Sequence, residues 1–421
     1  MQKVKVALIG AGLRGQNYTN FALEHPEEMQ LVAVADPNRD RVEMLKQRHG
    51  IDETMCFTDW RDLLARPKLA DAVLICTQDK MHFEPTMAAL DAGYHVLLEK
   101  PMSPDPQECV VMGAKAERAG LIFSICHVLR YTNFFGTIKR LLEEGAIGRL
   151  MSIQHNENVG YWHQAHSFVR GNWSNTAASS PMILGKSCHD MDILLWLAGA
   201  DCARISSFGT LSHFTADNAP AGAPKRCTDG CPAADTCLYY APDVYLTEQA
   251  GWMALAISDD PSREARLKAL EEGPYGRCVY HCSNDVVDHQ VVNMLFDNEV
   301  TAAFTMSAFT QECSRTIKLM GTRGEIRGAM EKNEIELIRF GGSEPERIAL
   351  EAAGGHVGHG GGDYGLMRDF LKLVQDGGQQ ESLTSAAKSV QSHLMAFAAE
   401  ESRMAGRVVD MREFAASFSG S

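Results

Sequence analysis

No run in this sequence comes near the roughly 20 consecutive apolar residues that a membrane-spanning helix needs, so no bilayer partner is expected. Basic charge is also short. The chain carries 40 Lys and Arg against 54 Asp and Glu, a formal net charge of −14. Nucleic acid is bound by neutralising phosphates with basic surface, and that class of partner is set aside. There is no internal repeat and no low-complexity tract, which excludes solenoids and disordered arrays. The opening residues run from Met1 straight into an apolar strand, without the longer apolar core and small-residue cleavage site of a secretory leader. Most of the 12 cysteines are scattered singly through core-like segments, such as Cys76 and Cys126. Reduced thiols and a cytoplasmic location are the expectation.

What is present is ordinary globular composition, 45% hydrophobic and 22% charged over 421 residues, enough for two or three cores. Up to about residue 130, short and nearly continuous apolar runs (VKVALIG, LVAVAD, DAVLICT, HVLLEK) alternate with segments of helical period. Strands buried on both faces, separated by helices, predict a doubly wound parallel sheet. After Gly148 the apolar residues alternate, as in VVNMLFDNEVTAAFTMSAFT, which predicts an α+β domain with an open, largely antiparallel sheet. The expected division is residues 1–130 and 131–421. The second part holds an irregular, Cys-rich insertion at about 213–282 and C-terminal helices over 363–405.

Gly10, Gly12 and Gly15 stand in G-x-G-x-x-G spacing directly after the first strand and open a helix. Such a turn lets a pyrophosphate approach the free N–H groups of the helix start. Asp36 closes the second strand at the distance where a carboxylate accepts from the adenosine ribose hydroxyls and repels a 2′-phosphate. These features predict a Rossmann domain that binds NAD in preference to NADP. Lys100 ends the HVLLEK run, so it falls at the carboxyl end of a parallel strand, where ligands bind in such sheets and a side-chain amine can relay a substrate proton.

GAGLRG, TQDKMH, Glu99-Lys100-Pro101 and CHVLRY, in that order, resemble the Gfo/Idh/MocA oxidoreductases. The resemblance covers essentially the whole chain. It implies that Leu13, Arg14, Thr77, Gln78, His82, Glu99 and Lys100 lie beside the cofactor with the three glycines and Asp36. It also implies that Lys100 acts on the reacting hydroxyl, that Pro101 is cis, and that Arg130 and Tyr131 lie near the substrate. The family's D-x-x-x-H element matches at His189, but Gly185 stands where the Asp belongs and Lys186 follows it. His189 and Lys186 are therefore the remaining candidates for proton transfer.

The run HNENVGYWHQAHSFVRGNW contributes Tyr161, His163, His166, Arg170 and Trp173. Aromatic faces with His and Arg donors suit a sugar ring, and Arg170 could clamp an anionic substituent. His359, in the Gly-rich stretch before Asp363, is similar to a histidine-glycine-glycine segment of the family's NAD-dependent glycosidases. Cys227, Cys231 and Cys237, with Cys278 or Cys282 as a fourth ligand (Cys278 preferred), suggest a structural Zn site; an iron–sulfur cluster is the alternative.

The expected activity is NAD-dependent oxidation of a sugar or sugar derivative by a homo-oligomer built through the second-domain sheet. A redox-neutral glycosidase and a non-catalytic NAD- and sugar-binding regulator are the alternatives. Asp36→Ala should weaken NAD binding and narrow its advantage over NADP. Parallel titrations with both cofactors check this, and unchanged affinities would remove the role assigned to Asp36.

Overall fold

A computed structural model describes residues 3–342, 344–350, 358–378 and 381–418; the side chains of residues 358 and 359 are not described. The first layer is a six-stranded parallel sheet made of β1 (Val4–Ile9), β2 (Met29–Ala35), β3 (Cys56–Phe57), β4 (Ala72–Ile75), β5 (His95–Leu98) and β6 (Phe123–Ile125). Its order, β3-β2-β1-β4-β5-β6, reverses direction between β1 and β4. All its pairings are parallel. Every residue of β4 is buried, as its unbroken apolar run requires. The strands' carboxyl ends gather the glycine turn, Asp36, Cys76 and Lys100 along one edge. The reversal between β1 and β4 opens the crevice in which such sheets bind dinucleotides.

The second layer is a nine-stranded sheet of β7 (Leu150–Asn158), β8 (Cys202–Thr210), β9 (His289–Phe296), β10 (Thr301–Ser307), β11 (Ser314–Gly321), β12 (Gly324–Ala329), β13 (Glu334–Arg339), β14 (Glu346–Ile348) and β15 (Val409–Asp410). It is antiparallel except where β7 pairs with β10. Along β9, exposed and buried residues alternate strictly, so one face is covered and the other open. Val292, Met294 and Phe304 face inward and pack with Met191 and Leu194 of the helix Cys188–Ala198. Each such burial stabilises the fold by about 1.5–3 kcal/mol.

Two C-terminal helices, both expected with the second domain, are placed differently. Gly362–Gln375 sends Leu366, Met367, Phe370 and Leu371 into the same apolar cluster as Val6 and Leu8 of β1, so it completes the first layer. The reason is its apolar stripe, which covers a sheet face otherwise left to solvent. Ala386–Ala405 joins the two layers, with Ala386 packed in the β4–β5 cluster and Met395, Ala396 and Ala399 in the core beneath the second sheet. Small residues along its buried side allow close approach to both layers.

Between β8 and β9 runs the insertion. It holds short helices such as Ala241–Tyr245 and Arg263–Glu272, and two small apolar clusters of its own. An isolated bridge between Arg226 and Arg277 pairs its two arms, and Asp288 accepts from the Ser212 and His213 amides at its base.

Candidate active site

The glycine turn is shaped by contact. Gly10 has φ +94°, and a Cβ there would sit 2.6 Å from the Cys76 carbonyl. A Cβ on Gly15 would meet the Gly10 carbonyl oxygen at 2.2 Å. At Gly12 a Cβ would meet nothing within 4 Å. Two glycines thus serve the turn itself, and the third keeps open the approach to the start of the helix Leu13–Thr19. Asp36 accepts from the Ala11 amide (2.6 Å) and the Asn38 amide (2.8 Å), so its carboxylate also pins the turn to the end of β2. Leu13 is exposed at the mouth.

Several residues expected beside the cofactor are also bonded to one another and to the backbone. The Arg14 guanidinium donates to Glu99 (2.6 Å) and Asp363 (2.7 Å) and to the Tyr18 hydroxyl. Glu99 also accepts from Tyr18 (2.9 Å) and from the Lys100 amide (2.8 Å). Burial raises the Glu99 carboxyl, but Arg14 and Lys100 outweigh it, and its pKa lies below the ordinary carboxylate value. His82 is buried between the carbonyls of Pro101 (2.7 Å) and Thr77 (3.1 Å), and Thr77 donates to the Met81 carbonyl. Gln78 caps the short turn Asp79–Met81.

Lys100 is half-buried at the end of β5, before a cis peptide to Pro101, and its Nζ donates to the Gly185 carbonyl at 3.3 Å. Gly185 stands where a carboxylate would be expected. A Cβ there would lie 2.9 Å from the Ser180 hydroxyl and 3.6 Å from the Trp173 ring, so that room is already taken. Trp173 in turn donates to Asp79 (3.2 Å).

Lys186 and Glu157 form a buried ion pair of 3.0 Å. Burial pulls the Lys186 ammonium down, but the Glu157 carboxylate and Cys313 together leave it above its ordinary pKa. The pair favours the charged form of Lys186. Behind it, Arg315 pairs with Glu157 (2.5 Å) and Asp190 (2.9 Å), and Asp190 contacts the His155 ring at 2.7 Å. Burial raises the Asp190 carboxyl, yet Arg315 and His155 hold it well below the usual carboxylate range. Glu157 and Arg315 were not singled out in the sequence. The signal was there, since charges at the inward positions of β7 and β11 imply a paired interior.

His163 lies 3.6 Å from the Cys313 sulfur. Burial, reinforced by Lys186, His166 and Lys100, keeps its pKa well below the ordinary imidazole value. Its neutral form is favoured, close to both lysines. His189 is buried, with its ring edge-on to His127 at 5.8 Å. His127 lies 3.9 Å from Asp192 and is pushed down to about 4, mainly by burial.

Four other residues expected near the substrate have internal partners. Arg130 is buried and bonded through two nitrogens to Asp192, at 2.7 Å each, with a third contact to the Leu383 carbonyl. The Tyr131 hydroxyl donates to Asp369 (2.8 Å). His166 is enclosed by the rings of Tyr245, Trp252 and Tyr275. Arg170 is buried among the insertion's cysteines, where its Nη2 donates to the Tyr239 carbonyl at 2.6 Å. In each case the polar group already has internal partners that sequence spacing does not reveal. Tyr161 remains half-buried against the Tyr239 ring. The side chain of His359 lies outside the described residues.

Cys227, Cys231, Cys237 and Cys278 line one small cavity in the insertion. Among the described residues, only His25, Glu27 and Glu28 bring three possible metal-ligand atoms within 4.8 Å of one another. The four sulfurs are therefore spread more widely than the edge of about 3.8 Å that Zn–S bonds of about 2.3 Å would set. Cys282 stands off, its thiol donating to the Cys278 carbonyl (3.3 Å).

Residues 4–127 match the oxidoreductase family's NAD-binding Rossmann fold, and residues 135–327 match the GFO/IDH/MocA C-terminal domain. An inositol 2-dehydrogenase of Saccharopolyspora erythraea is 29% identical over 54% of this chain and 62% of its own length. A 2,7-anhydro-N-acetylneuraminate hydratase of Escherichia coli is 25% identical over 50% of this chain and 54% of its own. The match thus spans little more than half the length of these relatives. A levoglucosan dehydrogenase solved with NADH and L-sorbose shares the fold, with TM-score 0.73, 19% identity, and coverage of 98% of this chain and 99% of that one.

The two glycine environments separate binding from folding. Gly12→Val should leave the unfolding midpoint unchanged but weaken NAD by tenfold or more, a loss of about 1.4 kcal/mol. Gly15→Val should lower stability by about 1–3 kcal/mol through overpacking. Calorimetric NAD titration and denaturant unfolding of both variants check this. Equal behaviour in the two assays would contradict it.

Proposed function

The chain belongs to the Gfo/Idh/MocA oxidoreductase family, and from that premise we propose that it oxidises a carbinol carbon of a sugar or sugar derivative, with NAD rather than NADP. The observation that carries the reading is the position of Lys100. It stands at the carboxyl end of β5, beside the open glycine turn, and faces Gly185, with Lys186 and the neutral His163 nearby. The bound nicotinamide supplies a hydride acceptor. Lys100 takes the hydroxyl proton as the carbinol carbon gives up its hydride to the nicotinamide. Lys186, fixed as a cation by Glu157, stabilises the negative charge that develops on the oxygen. His189 backs this group from the buried helix Cys188–Ala198.

A second reading has its own support. Gly185 leaves the family's carboxylate position empty of a side chain, and a relative is a hydratase. In this version the same hydride step is transient: oxidation acidifies a neighbouring C–H, elimination expels the aglycone and leaves a double bond, water adds across it, and the hydride returns to the ketone. A regulator without turnover is less favoured, because a half-buried Lys and a buried charged cluster are costly to keep for binding alone.

Three further points belong to the reading. A structural Zn²⁺ would be held by Cys227, Cys231, Cys237 and Cys278, with the sulfurs drawing together around it and no part in the hydride step. The open face of the second sheet exposes Met151, Phe208, Val291 and Leu295, an apolar surface suited to a second copy of the chain. All twelve cysteines are unpaired, which fits a reducing cytoplasm, and no described helix is long and apolar enough to cross a membrane.

One assay separates the two chemistries. With a panel of sugars and aryl glycosides, absorbance at the NADH band and released aglycone are followed together. The proposal expects NADH in proportion to substrate consumed. Aglycone released with catalytic NAD and no NADH accumulation would establish the redox-neutral route instead.

A further inference from the structure

Arg170 is a buried cation in search of its counter-charge. Its side chain is 3% exposed. The Nε donates to the Arg277 carbonyl (2.7 Å), and Nη2 donates to the Tyr239 carbonyl (2.6 Å) and lies 3.7 Å from the Cys227 sulfur. The Nη1 has no hydrogen-bond partner among the described residues. Its contacts include no carboxylate, whereas the other buried guanidiniums, Arg130 and Arg315, are each matched by Asp or Glu. A charge taken out of water without an opposite charge is strongly destabilising.

The chain has placed four thiols around this guanidinium. Arg170 lines, with Cys227, Cys231, Cys237 and Cys278, an enclosed cavity of about 10 Å³, room for a single small occupant. The site is built from both ends of the insertion. Cys227 donates its amide to the Gly276 carbonyl and Cys278 to the Lys225 carbonyl, both at 2.9 Å, which sets the two cysteines side by side. Four thiolates on a divalent cation carry a net charge of −2, and this is the charge that Arg170 lacks.

Arg170 also ends the helical segment that walls the candidate active site. Tyr161–His163 opens it, and the wider-wound Gln164–Arg170 completes it. His163, at the cleft, and Arg170, at the cysteines, are thus two ends of one rigid element. Between them Gln164 donates to the Val287 carbonyl and His166 contacts the Tyr245 hydroxyl.

We infer that Arg170 is the charge partner of a tetrathiolate metal centre and a positioning residue through which that centre seats His163 at the cleft. The inference rests on the zinc reading above and adds the coupling. Metal loss leaves the guanidinium uncompensated, the end of the helical segment relaxes, and His163 loses its fixed position without any direct part for the metal in the chemistry.

The test uses the purified full chain, its Arg170→Gln and Arg170→Lys variants, and a Cys231→Ser variant as the ligand control. Metal content comes from elemental analysis, and metal release is followed with a chromogenic chelator. Wild type should carry one zinc per chain. Arg170→Gln should release it about tenfold faster or more, and Arg170→Lys should recover part of the retention because the charge is kept. Amide hydrogen exchange over residues 161–170 should speed up in Arg170→Gln, Cys231→Ser and chelated wild type, while β1 exchanges as before. Zinc retained equally by Arg170→Gln, or unchanged exchange over 161–170 after chelation, would overturn the coupling and leave the zinc reading standing. Wild type without metal would overturn both. Iron with acid-labile sulfide would replace zinc as the occupant, and the same Arg170 comparison, read on iron release, would still decide the coupling.

Discussion

The contact between Arg14 and its two carboxylates, Glu99 and Asp363, organises the site. Arg14 belongs to the glycine turn, Glu99 to the end of β5, and Asp363 to the first turn of the C-terminal helix Gly362–Gln375. Three segments far apart in sequence meet at one guanidinium. Glu99 immediately precedes Lys100 and accepts its amide hydrogen, so the ion pair that fixes the cofactor turn also fixes the backbone of the proposed proton-transfer residue. Both carboxylates are almost fully buried, and removing the partner of such a charge typically costs about 3–5 kcal/mol. The two functions, holding a dinucleotide and presenting a base, are therefore not independent.

The opposite wall of the cleft uses the same device with other residues. Glu157 lies between Lys186 and Arg315, and Asp190 lies between Arg315 and His155, all in the interior. Strand β7 supplies two members, β11 one, and the segment just before and within the helix Cys188–Ala198 the other two. Alternating sign satisfies each group and locks the strands to the helix in one register. The consequence for chemistry is a division of labour. The charged form is favoured at Lys186 and the neutral form at His163, because one has a carboxylate at 3.0 Å and the other has burial and nearby cations.

How much of this was readable beforehand follows from what each signal depends on. The parallel layer was legible because strands buried on both faces leave continuous apolar runs, and the glycine turn because its geometry allows few other residues. Lys100 was legible from its place after such a run. The open sheet followed from alternation, and the gathering of Cys278 with the three clustered cysteines from composition. What could not be read were pairings. Arg130 and Arg170 look alike in sequence as cations in polar stretches, yet one meets Asp192, 62 residues on, and the other meets thiols gathered by the insertion. The helix Gly362–Gln375 was misplaced for a similar reason: its apolar stripe is plain, but nothing local says which sheet it covers. Counter-charges and docking faces are properties of the folded chain.

The central claim is that the Lys100 side chain moves the substrate proton and contributes little to NAD affinity. A single-turnover measurement of NAD reduction by Lys100→Ala, saturated in cofactor and substrate and paired with an NAD titration, tests it most directly. The account predicts that NAD affinity stays near the wild-type value while the chemical step slows by about 100-fold or more, with Lys100→Arg recovering little because a guanidinium does not give up its proton. Reduction by Lys100→Ala at the wild-type rate would contradict it.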